Sequence, residues 1–441
     1  MSNARPALTL SATAFADTYQ GKEAMIAAPQ PNSAQSINSQ TRKPRILFIA
    51  EAVTLAHVAR PAVLATALDQ SLYEVFFAVD PRYNDLFPEL SDFRHDLWSI
   101  NSEQFLDALA KGKRLYSSEV LERYVRDDLQ LIERIKPDLI IGDFRLSLSV
   151  SARLKNIPYA AISNTYWTIH SNNKYTVPQL PMTRLLGIGL SQALFNLSRP
   201  LVFAAHCMPL NKLRKKYGLA SLGNDLRAVY SDADQLWLAD MAEYFPILPA
   251  AKNCHYLGPL PWSPRNKIPP WWNELDDSLP IVYVSLGSSG QVSLLPIVLE
   301  ALSALPLTVI AVTAGRTKLT SIPDNTYISD FLPGDQATAR AALMICNGGS
   351  LSTYQAIQGG TPVLGIVGNL DQHLNMSYLA SSGIGESLRS EHANVERVGE
   401  LTKKLLSNSR YQKSATQALQ TALRYDVTTH LPTLITHALS E

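Results

Sequence analysis

The sequence predicts an α/β protein made of two Rossmann-like parallel sheets in tandem. Short apolar runs alternate with helical stripes along most of the chain, the order that gives parallel strands covered by helices on both faces. A proline-rich stretch, Leu257-Gly-Pro-Leu-Pro-Trp-Ser-Pro-Arg-Asn-Lys-Ile-Pro-Pro270, separates two such series. The length of 441 residues fits, since domains average roughly 150 residues.

Order begins after residue 42. Residues 1–42 are rich in Ala, Ser, Asn, Gln and Pro without an apolar period and read as a disordered tail. The apolar run before Ala12-Thr-Ala-Phe-Ala16 is too short and polar for a secretory signal, and no stretch reaches a membrane span, so a cytoplasmic protein is expected. Arg45–Ala50 is a strand buried on both faces, 61–68 a helix with Pro61 near its start, and 73–79 a second strand. Leu121, Val125, Leu129, Ile132 and Ile135 form one stripe on a helix over 119–136. Strand 138–143, helix 147–155 and strand 159–163 complete the first series. Residues 166–216 leave the alternation and carry apolar helices followed by Lys212, Arg214, Lys215 and Lys216. Beyond the break come strand 281–285, helix 295–302, strand 308–313, helix 337–342, strand 343–346, helix 351–358, strand 362–366 and two or three final helices. The expected division is a domain over 43–258, a linker over 259–270, a domain over 271–425, and a last helix over 426–441 packing back on the first domain.

Composition narrows the function. Apolar residues make up 46% and charged residues 17%, enough for a large core. Lys+Arg of 39 against Asp+Glu of 38 leaves a net charge of +1 and no case for nucleic-acid binding. Cys207, Cys254 and Cys346 are far apart and form neither a disulfide framework nor a zinc site. His206, His255 and His373 are scattered, and no Asp-x-Asp stands at a strand end, so no metal is expected.

The chemistry concentrates in Cys346-Asn-Gly-Gly-Ser-Leu-Ser-Thr-Tyr-Gln355, followed by Gly360, Pro362, Asp371 and Gln372. A strand leading through glycines into a helix presents free N–H groups and a positive dipole end, which suits a pyrophosphate. An ordinary strand-turn-helix uses glycine in the same way for geometry alone. The longer spacing resembles the donor-binding segment of the UDP-glycosyltransferase-like family, which has the GT-B fold of two Rossmann-like domains facing across a cleft. That segment reads His-x-Gly-x-x-Ser-x-x-Glu, then Gly-x-Pro, then Asp/Glu-Gln; Asn347, Gly349, Ser352, Gln355, Gly360, Pro362, Asp371 and Gln372 stand at the same spacings. The strand and loop at Val282–Ser288, the stretch from Asp324-Asn325 to Phe331-Leu332-Pro333, and Tyr256–Pro259 extend the resemblance.

The resemblance implies an inverting, metal-independent hexosyltransferase using a nucleotide-sugar co-substrate, with UDP the first expectation and dTDP the second. It implies that Gly287, Ser288, Asn347, Gly348, Gly349, Ser350 and Ser352 approach the diphosphate. Phe331 and Leu332 would face the base, Gln355 the ribose, and Asp371 and Gln372 the sugar. Two positions depart from the family: Asn347 replaces its His and Gln355 its Glu. Asparagine still donates to phosphate but carries no charge, and glutamine offers one carbonyl in place of a carboxylate. Leu55-Ala-His-Val-Ala-Arg-Pro61 resembles the family's loop with the catalytic base, which makes His57 that base and Asp143 its supporting carboxylate. Imidazole suits a base near neutral pH. The apolar helices of 166–216 imply a hydrophobic, hydroxyl-bearing small-molecule or lipid acceptor, and the basic cluster beside them would suit peripheral contact with an anionic membrane surface at its inner face. A monomer or homodimer is expected. The alternative is a degenerate GT-B protein acting as a non-catalytic partner or sugar-nucleotide sensor, which Asn347 and Gln355 motivate.

Overall fold

The computed structural model describes residues 42–249, 251–276, 278–287 and 290–440. The tail expected over 1–42 therefore lies outside the described residues but for its last. The first sheet comprises β1 (Arg45–Ala50), β2 (Glu74–Val79), β3 (Arg94–Asp96), β4 (Leu139–Asp143), β5 (Tyr159–Ser163), β6 (Gln235–Leu238) and β7 (Cys254–Tyr256). The second comprises β8 (Ile281–Ser285), β9 (Thr308–Val312), β10 (Thr326–Ser329), β11 (Leu343–Cys346), β12 (Val363–Val367) and β13 (Gly385–Arg389). All neighbours pair in parallel, and the orders are β3-β2-β1-β4-β5-β6-β7 and β10-β9-β8-β11-β12-β13.

Both orders reverse direction once, between β1 and β4 and between β8 and β11. In doubly wound sheets the crevice at the carboxyl ends of those two strands receives ligands. The registers bring the strand ends level: Ala50 lies beside Asp143, and Ser285 beside Cys346.

The helices are α1 (Leu55–Ala67), α2 (Ser102–Ala110), α3 (Ser118–Ile135), α4 (Leu148–Leu154), α5 (Pro181–Lys216), α6 (Leu226–Tyr230), α7 (Leu295–Ser303), α8 (Gly334–Arg340), α9 (Ser350–Gln358), α10 (Leu370–Ser381), α11 (Val395–Ser407), α12 (Ser409–Ala422) and α13 (Val427–Ser440). The α3 stripe packs as its period requires, with Leu121, Val125, Ile132 and Ile135 buried; Ser117 caps its start, and Lys136 turns left-handed before Pro137. Leu431, Leu434, Ile435 and Ala438 of α13 belong to the same buried cluster as Ile46, Phe48, Phe77 and Ile141 of the first sheet.

Three expectations are corrected. α1 begins at Leu55, six residues before the expected start at 61, so Pro61 sits inside the helix and His57 in its first turn. Proline lacks only the hydrogen bond to the carbonyl four residues back, here that of His57. α8 starts and stops earlier than 337–342, because the chain straightens at Ala341 (ψ 140°) to enter β11. The region 166–216 holds one long helix, α5, broken where Gly187 takes φ 71°. The short strands β3, β6, β7 and β10 and the strand β13 had no strong apolar run to announce them.

Candidate active site

The carboxyl end of β4 presents Asp143, fully buried, and the first turn of α1 presents His57. His57 Nδ1 lies 2.8 Å from Asp143 Oδ1. Arg60, one helical turn on from His57, forks onto the same carboxylate, Nε to Oδ2 at 2.7 Å and Nη2 to Oδ1 at 2.8 Å. Its Nη2 also lies 3.1 Å from His57 Nδ1. Burial alone would lower the Arg60 pKa; the Asp143 charge and hydrogen bonds hold it above the ordinary value. Phe144 follows Asp143 with φ 56°, a conformation unfavourable for a residue with a Cβ. That turn lays the Phe144 ring flat on the imidazole, with centroids 4.6 Å apart and planes within 10°. Behind them a buried network holds the loops. Tyr124 Oη donates to Glu51 Oε1 at 2.7 Å, and Arg145 pairs with both Glu51 and Asp128.

The second crevice is built from glycines and an asparagine. Gly349 N–H donates to Asn347 Oδ1 at 3.1 Å, closing the turn into α9, which starts at Ser350. Gly348 takes φ 77°, and a Cβ there would meet Met376 Cγ at 2.7 Å and Val367 Cγ1 at 2.8 Å. Gly287, at φ 67°, faces the Asn347 amide from the opposite loop. Ser288 lies outside the described residues. Ser352 is half-buried in the first turn of α9. Phe331 is 40% exposed at the end of β10, an aromatic face open to a partner, whereas Leu332 is buried with Tyr354 and Ile357. A side chain so placed offers a ligand nothing but its main chain.

The Gln355 amide donates to the Trp262 carbonyl at 2.6 Å and to Ser263 Oγ at 3.2 Å, both in the proline-rich linker. An ionised glutamate could not donate to the Trp262 carbonyl. Gln372 Oε1 accepts from Gly368 and Asn369 N–H at 2.9 and 3.2 Å, completing a capping box at the start of α10. Its carbonyl is thus occupied by the helix cap, leaving only its amide for a sugar. Asp371 Oδ1 accepts from Trp167 Nε1 at 2.7 Å, a bond from the turn after β5 to the first turn of α10.

A buried polar chain joins the two crevices. From Arg60, Nη1 donates to Asn164 Oδ1 at 2.6 Å; Asn164 Nδ2 donates to Asp240 Oδ1 at 2.9 Å; and Tyr354 Oη of α9 donates to the same Asp240 oxygen at 2.6 Å. Burial pushes the Asp240 carboxyl above its ordinary range, against the hydrogen bonds from Tyr354, Thr165 and Asn164. Arg60, Asn164, Asp240, Tyr354 and Trp167 were not foreseen from the sequence. A signal for Arg60 was present: it stands three residues after His57, on the same helical face.

A family model described as the erythromycin biosynthesis protein CIII-like C-terminal domain matches residues 297–434. The chain is 48% identical over 385 residues to a PGL/p-HBAD biosynthesis rhamnosyltransferase of Mycobacterium bovis, covering 87% of this chain and 85% of that one. It is 46% identical over 389 residues to a PGL/p-HBAD biosynthesis glycosyltransferase of Mycobacterium tuberculosis, covering 88% and 89%. Among solved structures, the spinosyn rhamnosyltransferase SpnG complexed with thymidine diphosphate superposes with a TM-score of 0.63 at 18% identity, over 88% of this chain and 99% of that one. Two sheets with ligand crevices at their reversal points, and relatives of this identity over most of their length, lead to one assignment: the chain is a glycosyltransferase of the GT1-type family with the GT-B fold.

Proposed function

We propose that the protein moves a hexosyl unit from a nucleoside-diphosphate sugar to a hydroxyl of a hydrophobic, lipid-like acceptor, inverting the anomeric carbon without a metal ion. The observation that carries this reading is the His57–Asp143 pair at the end of one sheet, tied by buried hydrogen bonds to the helix that opens at the glycine turn of the other. His57 Nε2 takes the acceptor's hydroxyl proton. The acceptor oxygen bonds to C1 of the sugar from the face opposite the nucleotide, and the bond from C1 to the diphosphate oxygen breaks. Asp143 orients the imidazole through Nδ1 and stabilises the imidazolium, while Arg60 fixes the carboxylate itself. The charge arriving on the diphosphate is met by the main-chain N–H of Ser350 and by Ser352 in the first turn of α9, which do there what a cation does elsewhere, while the Gly348 and Gly349 N–H groups stay on Cys346 Sγ and Asn347 Oδ1. Phe331 stacks on the base, and the Gln355 carbonyl oxygen takes a ribose hydroxyl while its amide stays on the linker.

For the nucleotide, thymidine is favoured over uridine, supported by the thymidine diphosphate held by SpnG. The relatives named for PGL/p-HBAD biosynthesis, one a rhamnosyltransferase, support rhamnose and an acceptor from that pathway. The test is transfer from dTDP-rhamnose, UDP-glucose and GDP-mannose to a long-chain hydroxylated acceptor, with the anomeric configuration of the product read by NMR. Product from the dTDP donor with inverted configuration is expected, and His57→Ala should lower kcat about 10²- to 10⁴-fold. Full transfer by that variant would sink the base assignment. Thermal shifts with the free nucleotides give an independent reading, because a ligand at 100 times its Kd stabilises by about 2.7 kcal/mol. No shift and no transfer with any donor would favour a non-catalytic role.

A further inference from the structure

Helix α5 is apolar on two sides. Its inner side buries Phe195, Cys207, Leu210 and Leu213. Its outer side carries Leu190, Leu194, Leu197, Leu201 and Met208 at steps of four, three, four and seven, so they share one face, and all five are exposed. Leu197 is 78% and Leu201 76% exposed, and Leu185, just before the break at Gly187, is 84% exposed. The ridge from Leu190 to Met208 runs about 27 Å. A helix apolar on all sides is ordinarily covered on all sides, and an exposed ridge of this size marks a contact surface.

The charge on the helix itself has one sign. The 36 residues of α5 include Arg184, Arg199, Lys212, Arg214, Lys215 and Lys216 and no Asp or Glu. Arg214 is buried against Asp232, Arg199 lies over the Tyr175 ring, and Lys216 pairs with Glu122. Lys212 and Lys215, four and seven residues after Met208, continue the face of the ridge and are exposed.

We propose that this face lies on an anionic lipid surface, the leucines among the acyl chains and the lysines and arginines at the headgroups. No described helix is long and apolar enough to cross a membrane, so α5 would lie in the interface plane. A two-fold dimer through this face would set its cations against their own copies, which argues for lipid over a second chain. The inner side of α5 packs in one cluster with Phe144 and Trp167, the residues against His57 and Asp371.

The experiment is co-sedimentation of the full chain with vesicles of phosphatidylcholine plus phosphatidylglycerol, and of phosphatidylcholine alone. Binding to the anionic vesicles, weakened by salt, is expected. The variant Leu190→Ser/Leu197→Ser/Leu201→Ser should bind at least about tenfold more weakly, and Leu423→Ser, an exposed leucine elsewhere, as the parent does. Lys212→Glu/Lys215→Glu, at two exposed positions, should also weaken binding, and it decides the matter if the leucine variant melts early. Absence of binding, or equal binding by the variants, overturns the proposal. So does a dimer that the leucine variant dissociates, or binding that disappears on removal of residues 1–41. Nucleotide thermal shifts should be unchanged in all these variants, so a failure here is distinct from a failure of the transferase reading.

Discussion

Asp143 accepts three hydrogen bonds at zero exposure, from His57 Nδ1, Arg60 Nε and Arg60 Nη2. An arginine fork fixes both oxygens of the carboxylate, a geometry that lysine's single point charge cannot reproduce. Arg60→Gln should therefore destabilise the protein by about 3 kcal/mol, the cost of leaving a buried carboxylate short of its partner. Urea denaturation measures this, and kcat should fall further than KM rises because the imidazole loses its fixed support. Arg60→Lys should recover only part of either quantity. In the sequence His57 and Asp143 were candidates through the family resemblance of the loop around His57 and of the strand that ends at Asp143. Arg60 was hidden because an arginine on an amphipathic helix reads as a solvated face, and only the fold puts a buried carboxylate beneath it. Leu332 and Gln372 show the converse. Motif spacing gave their positions in the chain, but side-chain direction is set by packing and capping, which spacing does not encode.

Single elements decide how the two crevices communicate. α9 begins at the glycine turn and, one turn later, anchors Tyr354 on Asp240 of the first half. Tyr354→Phe leaves Asp240 buried with one donor fewer and should cost about 1–3 kcal/mol. It should also raise the donor KM more than it lowers kcat, which steady-state kinetics with varied donor would resolve. Unchanged stability and unchanged KM would show the bond to be incidental. At this scale the long helices and central strands were legible from periodicity alone. α1 was misjudged because a proline near a helix start is a preference of the first turn, not a requirement. The short strands at the sheet margins take their structure from a neighbour's free edge rather than from their own composition.

For the whole molecule, acid sensitivity is the clearest electrostatic expectation. Burial lowers the His373 pKa from 6.5 to about 4, aided by Arg389 and opposed by Glu391. His95 and His206 are also lowered, chiefly by burial. In each case the unfolded chain binds the proton more readily than the folded one. Their contribution is therefore complete above pH 6.5 and is lost as pH falls toward 4. The part due to His373 is up to about 3 kcal/mol. His373→Gln should flatten the stability-pH curve across that window in chemical denaturation, and an unchanged slope would assign the acid loss to other groups. The tandem plan itself was readable in the sequence, because both halves repeat the same alternation. The bonds between the halves were not, since Trp167 to Asp371 and Tyr354 to Asp240 join residues remote in the chain.

The last helix has a consequence for the order in which the chain is made. β1 to β5 leave the ribosome early, yet the face they share with α1 is closed by Leu431, Leu434, Ile435 and Ala438 of α13. At roughly 5–20 residues per second, about 15–60 s separate synthesis of β5 from that of α13. Through that interval the nascent first half carries an open apolar face. Completion of its core thus waits for α13 rather than following its own translation, and loss of that helix would damage the half of the enzyme that was synthesised first.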